Sequence, residues 1–468
     1  MQSNSHPAAA STTTSQWYAE IGSCGAAVGD PGAVPIETCG AEDDFINPYW
    51  IPAAATVKNP ATFAFRAVVN VCFQPQGGSG TFVQSVRFMR VVIATATAGA
   101  GHLAAASALE EAWSALRPQD SLKKVDLVEF FSPIHRKIHA DGYVKLVEHA
   151  PELWGMLFGK TDNPRVARRL NELKRVFPSR SRARFARYIS QVAPDAVVCT
   201  HYVALDTLAD MRRQIPKGRQ SSRMPLVATV VTDFEAHALW MAPCVDLYCV
   251  ATEETKARIV ARGAKPGQVV VTGIPIAAKF MILPNPREVR QRIGLRDDQP
   301  VILVLGGGFG MGPVAEILSE LDKVEASFQN VVVTGRNEEL RRALATCDRK
   351  HPTHVLGFAS NMHELMAVAD LIITKPGGLT TSEALAAGKP ILIINPIPGQ
   401  EAANSDFLLE RGAAAKVNRV EDLPYRMRQL FASKKLAQMA RAAKALGKPR
   451  AATDVCEEVA KRTELVAA

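Results

Sequence analysis

The sequence predicts an α/β protein built from two tandem, doubly wound Rossmann-like halves that face a central cleft. Short β-branched runs alternate with helical segments from residue 89 onward, as in parallel sheets covered by helices. The rhythm breaks once, over residues 273–300, which hold four prolines and no clear strand. Each series opens with a strand feeding a glycine turn, RVVIATATAGAGH from Arg90 and VILVLGGGFGMGP from Val301. Ligands of open α/β sheets bind beyond the carboxyl ends of the strands, so two facing halves place the site between them.

Residues 1–88 are rich in Ser, Thr, Ala, Gly and Pro and poor in charge, so this low-complexity extension is expected to be disordered. Met89 directly precedes the first convincing strand, and a translation start there is an equal reading. The first half, residues 89–275, is expected to place strands at 90–95, 124–128, 196–200, 226–232, 247–251 and 269–272, with a helix at 253–262. Residues 276–300 read as an interdomain linker. The second half, residues 301–468, is expected to place strands at 301–305, 330–334, 354–356, 371–374 and 391–395.

A chain of 468 residues, 47% hydrophobic and 22% charged, can bury two cores. No run of about 18 apolar residues occurs; the longest, residues 61–73, carries Arg66 and Asn70. Without a basic start and apolar core at the N-terminus, the chain is expected in the cytoplasm. Eight scattered cysteines without a C-x-x-C pair fit reduced thiols. A net charge of +9 calls for anionic partners: a phosphate-bearing substrate, an acidic membrane or nucleic acid. Residues 160–187 hold ten Lys or Arg against Asp162 and Glu172 and follow the apolar, aromatic stretch 143–158. That neighbourhood fits a membrane-surface element, against the plainer reading of a solvated basic helix face.

The first glycine turn matches G-x-G-x-x-A through Gly99, Gly101 and Ala104, with His102 inside it. A dinucleotide reading wants an acid at the end of the second strand, whereas Asp120 precedes the expected strand and Glu129 follows it. The second turn, with Gly306, Gly307, Gly308, Gly310 and Gly312, exposes backbone N–H groups suited to a pyrophosphate. It fails G-x-G-x-x-G, however, since Met311 and Pro313 stand where the third glycine would fall. In residues 371–404 a strand ends at Lys375, Pro376, Gly377 and Gly378, and Thr380, Thr381 and Ser382 follow at a helix start. Glu383, expected in that helix's first turn, could cap it or accept both ribose hydroxyls. Gln400, Glu401 and Asn404 are spaced to share one helix face. Carboxylate and amide groups beside a phosphate cradle are what a nucleotide sugar needs.

The chain resembles the GT-B glycosyltransferases that build glycoglycerolipids, the monogalactosyldiacylglycerol synthases and processive diacylglycerol glucosyltransferases. The stretches that carry the likeness include TATAGAGH, PDAVVCTHYVAL, VATVVTDFEAHALWM, VVVTGIPI, LGFASNMHELMAVADLIITKPGGLTTSEALAAGKPILI and PIPGQEAANSDFLLERGAA. His237 and Trp240 keep the family's His-x-x-Trp pattern, whereas the first 88 residues have no counterpart. The resemblance implies that Glu383 holds the ribose of a UDP-sugar, that Gly357 and Phe358 border the uracil, and that Gln400 and Glu401 reach the sugar. The expected donor set is completed by Gly308, Phe309, Gly335, Lys375, Pro376, Gly377, Gly378, Thr380, Thr381 and Asn404. His102 and Asp233 face the acceptor, with Gly99, Gly101, His237 and Trp240 on the same side.

An enzyme of this kind inverts the anomeric centre: a base takes the proton of a diacylglycerol hydroxyl as it attacks C1. His102, with an unperturbed pKa near 6.5, can be that base; Asp233 can orient it or be the base itself. The UDP-sugar is a co-substrate and no cofactor is expected. No D-x-D triplet occurs, so no catalytic metal is expected either. The expected partners are the UDP-sugar, diacylglycerol or a glycolipid, and the anionic inner face of the plasma membrane, without nucleic acid. Two alternatives share the plan: a UDP-N-acetylglucosamine transferase acting on a polyprenyl-linked precursor, and a soluble UDP-sugar epimerase.

Overall fold

The computed structural model describes residues 87–97, 100–132, 150–163, 179–215, 224–307 and 312–467. The expected N-terminal extension falls outside them except at its last two residues.

In the first half, β1 (Arg90–Thr95), β2 (Ser121–Asp126), β3 (Ala196–Cys199), β4 (Leu226–Val230), β5 (Leu247–Val250) and β6 (Val269–Val271) form one parallel sheet ordered β2-β1-β3-β4-β5-β6. The helices here are α1 (Ala100–Leu116), α2 (Pro151–Thr161), α3 (Ser179–Val192), α4 (Val203–Arg213) and α5 (Glu253–Ala261). In the second half, β7 (Val301–Leu305), β8 (Gln329–Val333), β9 (Thr353–Leu356), β10 (Leu371–Thr374), β11 (Ile391–Ile394) and β12 (Ala414–Val417) pair in parallel as β12-β11-β10-β7-β8-β9. With them come α6 (Pro286–Ile293), α7 (Val314–Leu321), α8 (Glu338–Ala345), α9 (Met362–Val368), α10 (Gly378–Ala386), α11 (Gln400–Glu410), α12 (Leu423–Phe431), α13 (Lys435–Leu446) and α14 (Ala451–Ala467). Central strands such as VILVL and LVATV are buried at every residue, because helices cover both faces of a parallel sheet.

The structure departs from the expectations or adds to them at four points. The second strand is Ser121–Asp126, not residues 124–128. SLKKVD is an edge strand with exposed lysines, and Asp126 ends it by accepting from Val128 N, turning Leu127 and Val128 into the core. The expected linker, residues 276–300, carries a helix: Asn285 caps α6, Pro286 opens it and Gly294 closes it at φ 75°. Ile276, Phe280, Val289 and Leu295 then join the core of the second half. The strand β12 was not anticipated, since its sequence AAKV carries little β-branched content. Last, α14 leaves the second half and packs on α1 and β4. There Val455, Cys456 and Val459 meet Leu109 and Trp113, and Glu464 pairs with Arg117.

Candidate active site

The two sheets meet where β4 and β10 end. β4 runs on into Thr232, Asp233 and Phe234; β10 runs into Lys375, Pro376 and Gly377, and α10 starts at Gly378. Gly378 lies so tightly on the Thr232 carbonyl oxygen that a methyl group there would overlap it. The first-turn amides of α10, which lack intrahelical acceptors, are thereby set beside Asp233. Gly101, at the start of α1, faces Leu379 of α10.

Asn404 joins the two halves. Its Oδ1 accepts from Phe234 N at 2.9 Å, and its Nδ2 donates to Asp233 Oδ1 at 3.2 Å and to Pro376 O at 3.0 Å. Burial pushes the Asp233 carboxyl up to about 6, against the lowering effect of the Asn404 hydrogen bond. Asn404, expected in the donor set, is 0% exposed, and its amide bonds to protein partners from both halves.

His102 stands on the first turn of α1. Its Nδ1 lies 2.8 Å from Thr200 O and 3.1 Å from Thr232 Oγ1. A carbonyl oxygen can only accept, so Nδ1 carries the proton and Nε2 keeps the basic lone pair. Burial pulls the imidazole down to about 4, partly offset by the Thr200 hydrogen bond, which replaces the near-neutral value expected from sequence. Thr200 and Thr232, which orient this ring, went unnoticed in the sequence.

In the second half, Glu383 is the sixth residue of α10 and lies in its second turn, not its first. The cap reading of this side chain therefore fails, because the free amides lie a full turn earlier. Among the described residues no protein group hydrogen-bonds to its carboxyl, which burial pushes up to about 8. Thr380, Thr381 and Ser382 are the third to fifth residues of α10, at its start as expected; Ser382 bonds back to Gly378 O. Thr381 is 0% exposed, and its hydroxyl has no hydrogen-bond partner among the described residues. Gly335, at φ 61°, and Gly357 follow β8 and β9. Beside them Phe358 is 68% exposed, with the Arg336 guanidinium 6.0 Å from its ring. Lys375 borders a cleft of about 910 Å³ that Gly312, Asn395 to Pro398 and Arg419 also line. At the adjoining start of α11, Gln400 Oε1 is buried and has no hydrogen-bond partner among the described residues. Glu401 Oε2 accepts from Ile397 N at 2.8 Å, and burial raises its carboxyl while Lys375 opposes the shift. Gly99, Gly308 and Phe309 lie outside the described residues.

His237 and Trp240, expected on the acceptor side, are both buried. His237 is 7% exposed and Trp240 3%. His237 Nδ1 accepts from Leu239 N, while Nε2 lies 3.0 Å from Phe158 O. Trp240 packs edge-on against Tyr202 at 5.8 Å. Asp162, at the end of α2, accepts from Ala238 N and from Arg262 through two 2.8 Å bonds. These groups latch α2 onto the first half. Its Gly155 and Phe158 reach the second half, touching Pro398 and Gly399, while Leu153, Met156 and Leu157 are exposed. In α3, Phe185 and Ile189 are core while Arg180, Arg184 and Arg187 are exposed. Residues 133–149 and 164–178 of the expected membrane element lie outside the described residues.

The dinucleotide argument also changes. An acid does stand at the end of β2, Asp126, but its carboxylate receives Thr97 N, the Thr97 hydroxyl and Val128 N, which commits it to the turn.

Known proteins agree with this architecture. A family model described as monogalactosyldiacylglycerol (MGDG) synthase matches residues 102–276, and one described as glycosyltransferase family 28 C-terminal domain matches residues 301–455. A processive diacylglycerol beta-glucosyltransferase of Bacillus pumilus is 27% identical over 381 residues, 81% of this chain and 96% of that protein. The chloroplastic monogalactosyldiacylglycerol synthase of Spinacia oleracea is 31% identical over 357 residues, 74% of this chain and 66% of that protein. Among solved structures, MurG of Acinetobacter baumannii aligns at TM-score 0.51 and 18% identity over 80% of this chain and all of that one. A MnaA–UDP co-structure from S. aureus aligns at 0.53 and 14% over 81% and 98%. Likeness at that distance speaks for the fold, which is GT-B.

Proposed function

The chain belongs to the glycolipid glycosyltransferases of the monogalactosyldiacylglycerol synthase and processive diacylglycerol glucosyltransferase type, and on that premise we propose that it moves a hexose from a UDP-sugar to diacylglycerol or a related glycolipid, inverting the anomeric centre. One observation carries this reading: Asp233 and His102 of the first half converge on the start of α10, whose amides belong to the second. An acceptor hydroxyl delivered from one side and a diphosphate held from the other then meet at one point.

Asp233 is the base in this reading. A base works best with a pKa close to the working pH, and its carboxyl at about 6 is nearer than the imidazole at about 4. The one proton of the attacking hydroxyl goes to the Asp233 carboxylate, while His102, neutral and with its tautomer fixed by Thr200, steadies Thr232 next to Asp233. The helix dipole and first-turn amides of α10 stabilise the departing diphosphate. On the donor side, Glu383 takes the ribose hydroxyls, the exposed Phe358 stacks on the uracil, and Gln400 Oε1 receives a sugar hydroxyl. The apolar residues of α2 and the arginines of α3 dock on the anionic inner face of a membrane, where the lipid acceptor lies. Among the described residues no helix is long and apolar enough to cross it.

The test is incubation of purified protein with diacylglycerol vesicles and single UDP-sugars, with lipids analysed by mass spectrometry. A hexosyl-diacylglycerol of inverted configuration is the expected product. Transfer restricted to polyprenyl-linked acceptors, or an epimerised UDP-sugar without lipid product, overturns the proposal.

A further inference from the structure

We infer that Asn404 is a positioning residue which holds the Asp233 carboxyl only while the two halves are closed, so that closure assembles the base. The inference rests on the reading of Asp233 as that base. It deepens the reading by assigning how the base is made.

The amide can sit in one orientation only. Phe234 N must donate, so it needs the side-chain oxygen, whereas Pro376 O and the Asp233 carboxylate must accept, so they need the two N–H groups. Flipping the amide would set donor against donor and oxygen against oxygen. An ionised aspartate of the same shape satisfies Phe234 alone. Two of the partners, Asp233 and Phe234, belong to the first half, while Pro376 and Asn404 itself belong to the second. Parting the halves breaks the bonds to Asp233 and Phe234 and leaves the one to Pro376. One turn along α11, Phe407 stacks on Phe234 with ring centroids 4.7 Å apart. The same loop is thus gripped twice by one helix.

The groups around Asp233 define what closure changes. The Asp233 charge opposes ionisation of Glu401 of α11, and the Lys375 charge at the end of β10 favours it. The start of α10 lies against Asp233 Oδ1 at Gly378, and His102 of α1 reaches the preceding Thr232. Asn404 supplies the one direct side-chain donor recorded for Asp233 among the described residues. Losing it leaves a buried carboxyl beside another carboxyl.

The experiment compares Asn404→Ala and Asn404→Asp with the unaltered protein in turnover as a function of pH, in donor KM, and in hydrogen exchange at the Phe234 amide with and without UDP. In Asn404→Ala, kcat is expected to fall at least 10-fold, donor KM to stay within about twofold, the acid limb to move to higher pH, and Phe234 exchange to quicken. Asn404→Asp preserves size and the Phe234 acceptor, so it guards against misfolding; its acid limb is expected to move further up, because a second carboxylate faces Asp233. A raised donor KM with an unmoved acid limb makes Asn404 a donor ligand and overturns the inference, as does unchanged Phe234 exchange in Asn404→Ala. Full turnover in Asp233→Asn instead overturns the reading of Asp233 as the base, and leaves the exchange result to report on closure by itself.

Discussion

Gly378 touches the carbonyl oxygen of Thr232 with no space for a methyl group between them. This contact fixes how closely α10 approaches the loop after β4. Overpacking a tight site costs typically about 1–3 kcal/mol, and here the halves can relieve it by parting. Gly378→Ala is therefore expected to remain folded and to lose turnover on the order of 100-fold, as expected for a displacement of about 1 Å between reacting groups. Wild-type kcat in that variant, measured by release of UDP, would show the contact to be irrelevant.

Glu383 separates a structural role from a ligand role. A hydrogen bond to a charged group contributes about 1.5–3 kcal/mol, so at pH 9, where the carboxyl is ionised, Glu383→Gln is expected to weaken UDP binding roughly 10- to 100-fold. Calorimetric titration checks it, and an unchanged affinity removes Glu383 from the donor site.

The same carboxyl makes UDP binding depend on pH. With its pKa at about 8, Glu383 is protonated at neutral pH and accepts two ribose hydroxyls fully only when ionised. UDP affinity is expected to rise as pH increases through 8, and the rise to vanish in Glu383→Gln. Titrations at pH 7 and pH 9 on both proteins decide it; a parallel rise in both rejects the assignment.

Turnover is expected to fall as pH drops through about 6, where Asp233 takes up its proton. His102→Ala is expected to lower kcat by about 100-fold while keeping that limb and UDP affinity. A limb near 4 that is lost with the imidazole would exchange the two roles.

Asp162 and Arg262 secure α2. Burial disfavours the Asp162 carboxylate, but hydrogen bonds from Arg262 and from Ala238 N, with the Arg262 charge, outweigh it and hold its pKa below the usual value. A depressed carboxyl stabilises the folded form above its unfolded pKa of about 4 and loses that contribution as pH falls through the folded value. Asp162→Ala is expected to make the segment around residues 150–163 more sensitive to protease at pH 7, with donor affinity retained; equal cleavage rates in both proteins count against the latch.

Binding to phosphatidylglycerol vesicles is expected to fall steeply with salt, since each cation near the surface contributes on the order of 1 kcal/mol and is screened. Replacing Leu153, Met156 and Leu157 by Ser removes the apolar part of the contact. Co-sedimentation that ignores both salt and these changes leaves the membrane reading without support.

The sequence by itself determined two parallel α/β series, the switch between them and the loops that carry the site, because buried strands and glycine turns leave local, periodic signals. His102 and Glu383 stand out through residue type and position beside a glycine turn and a helix start, whereas Asp233 and the roles of all three come from the resemblance to the glycolipid glycosyltransferases. What only the tertiary structure decided is what each polar group faces. Asn404 and Thr381 prove fully buried, His237 lies against Phe158 of α2 and Trp240 against Tyr202, none of which their place in the sequence tells. The same holds for the last helix, whose apolar stripe fits either half in principle and which the chain's path delivers to α1 and β4. A hydrogen bond between residues as distant in sequence as Asp233 and Asn404 leaves no periodic trace, since it depends on how two separately formed sheets dock. Burial, and with it the opposite shifts of His102 and Asp233, arises only once that docking has excluded water.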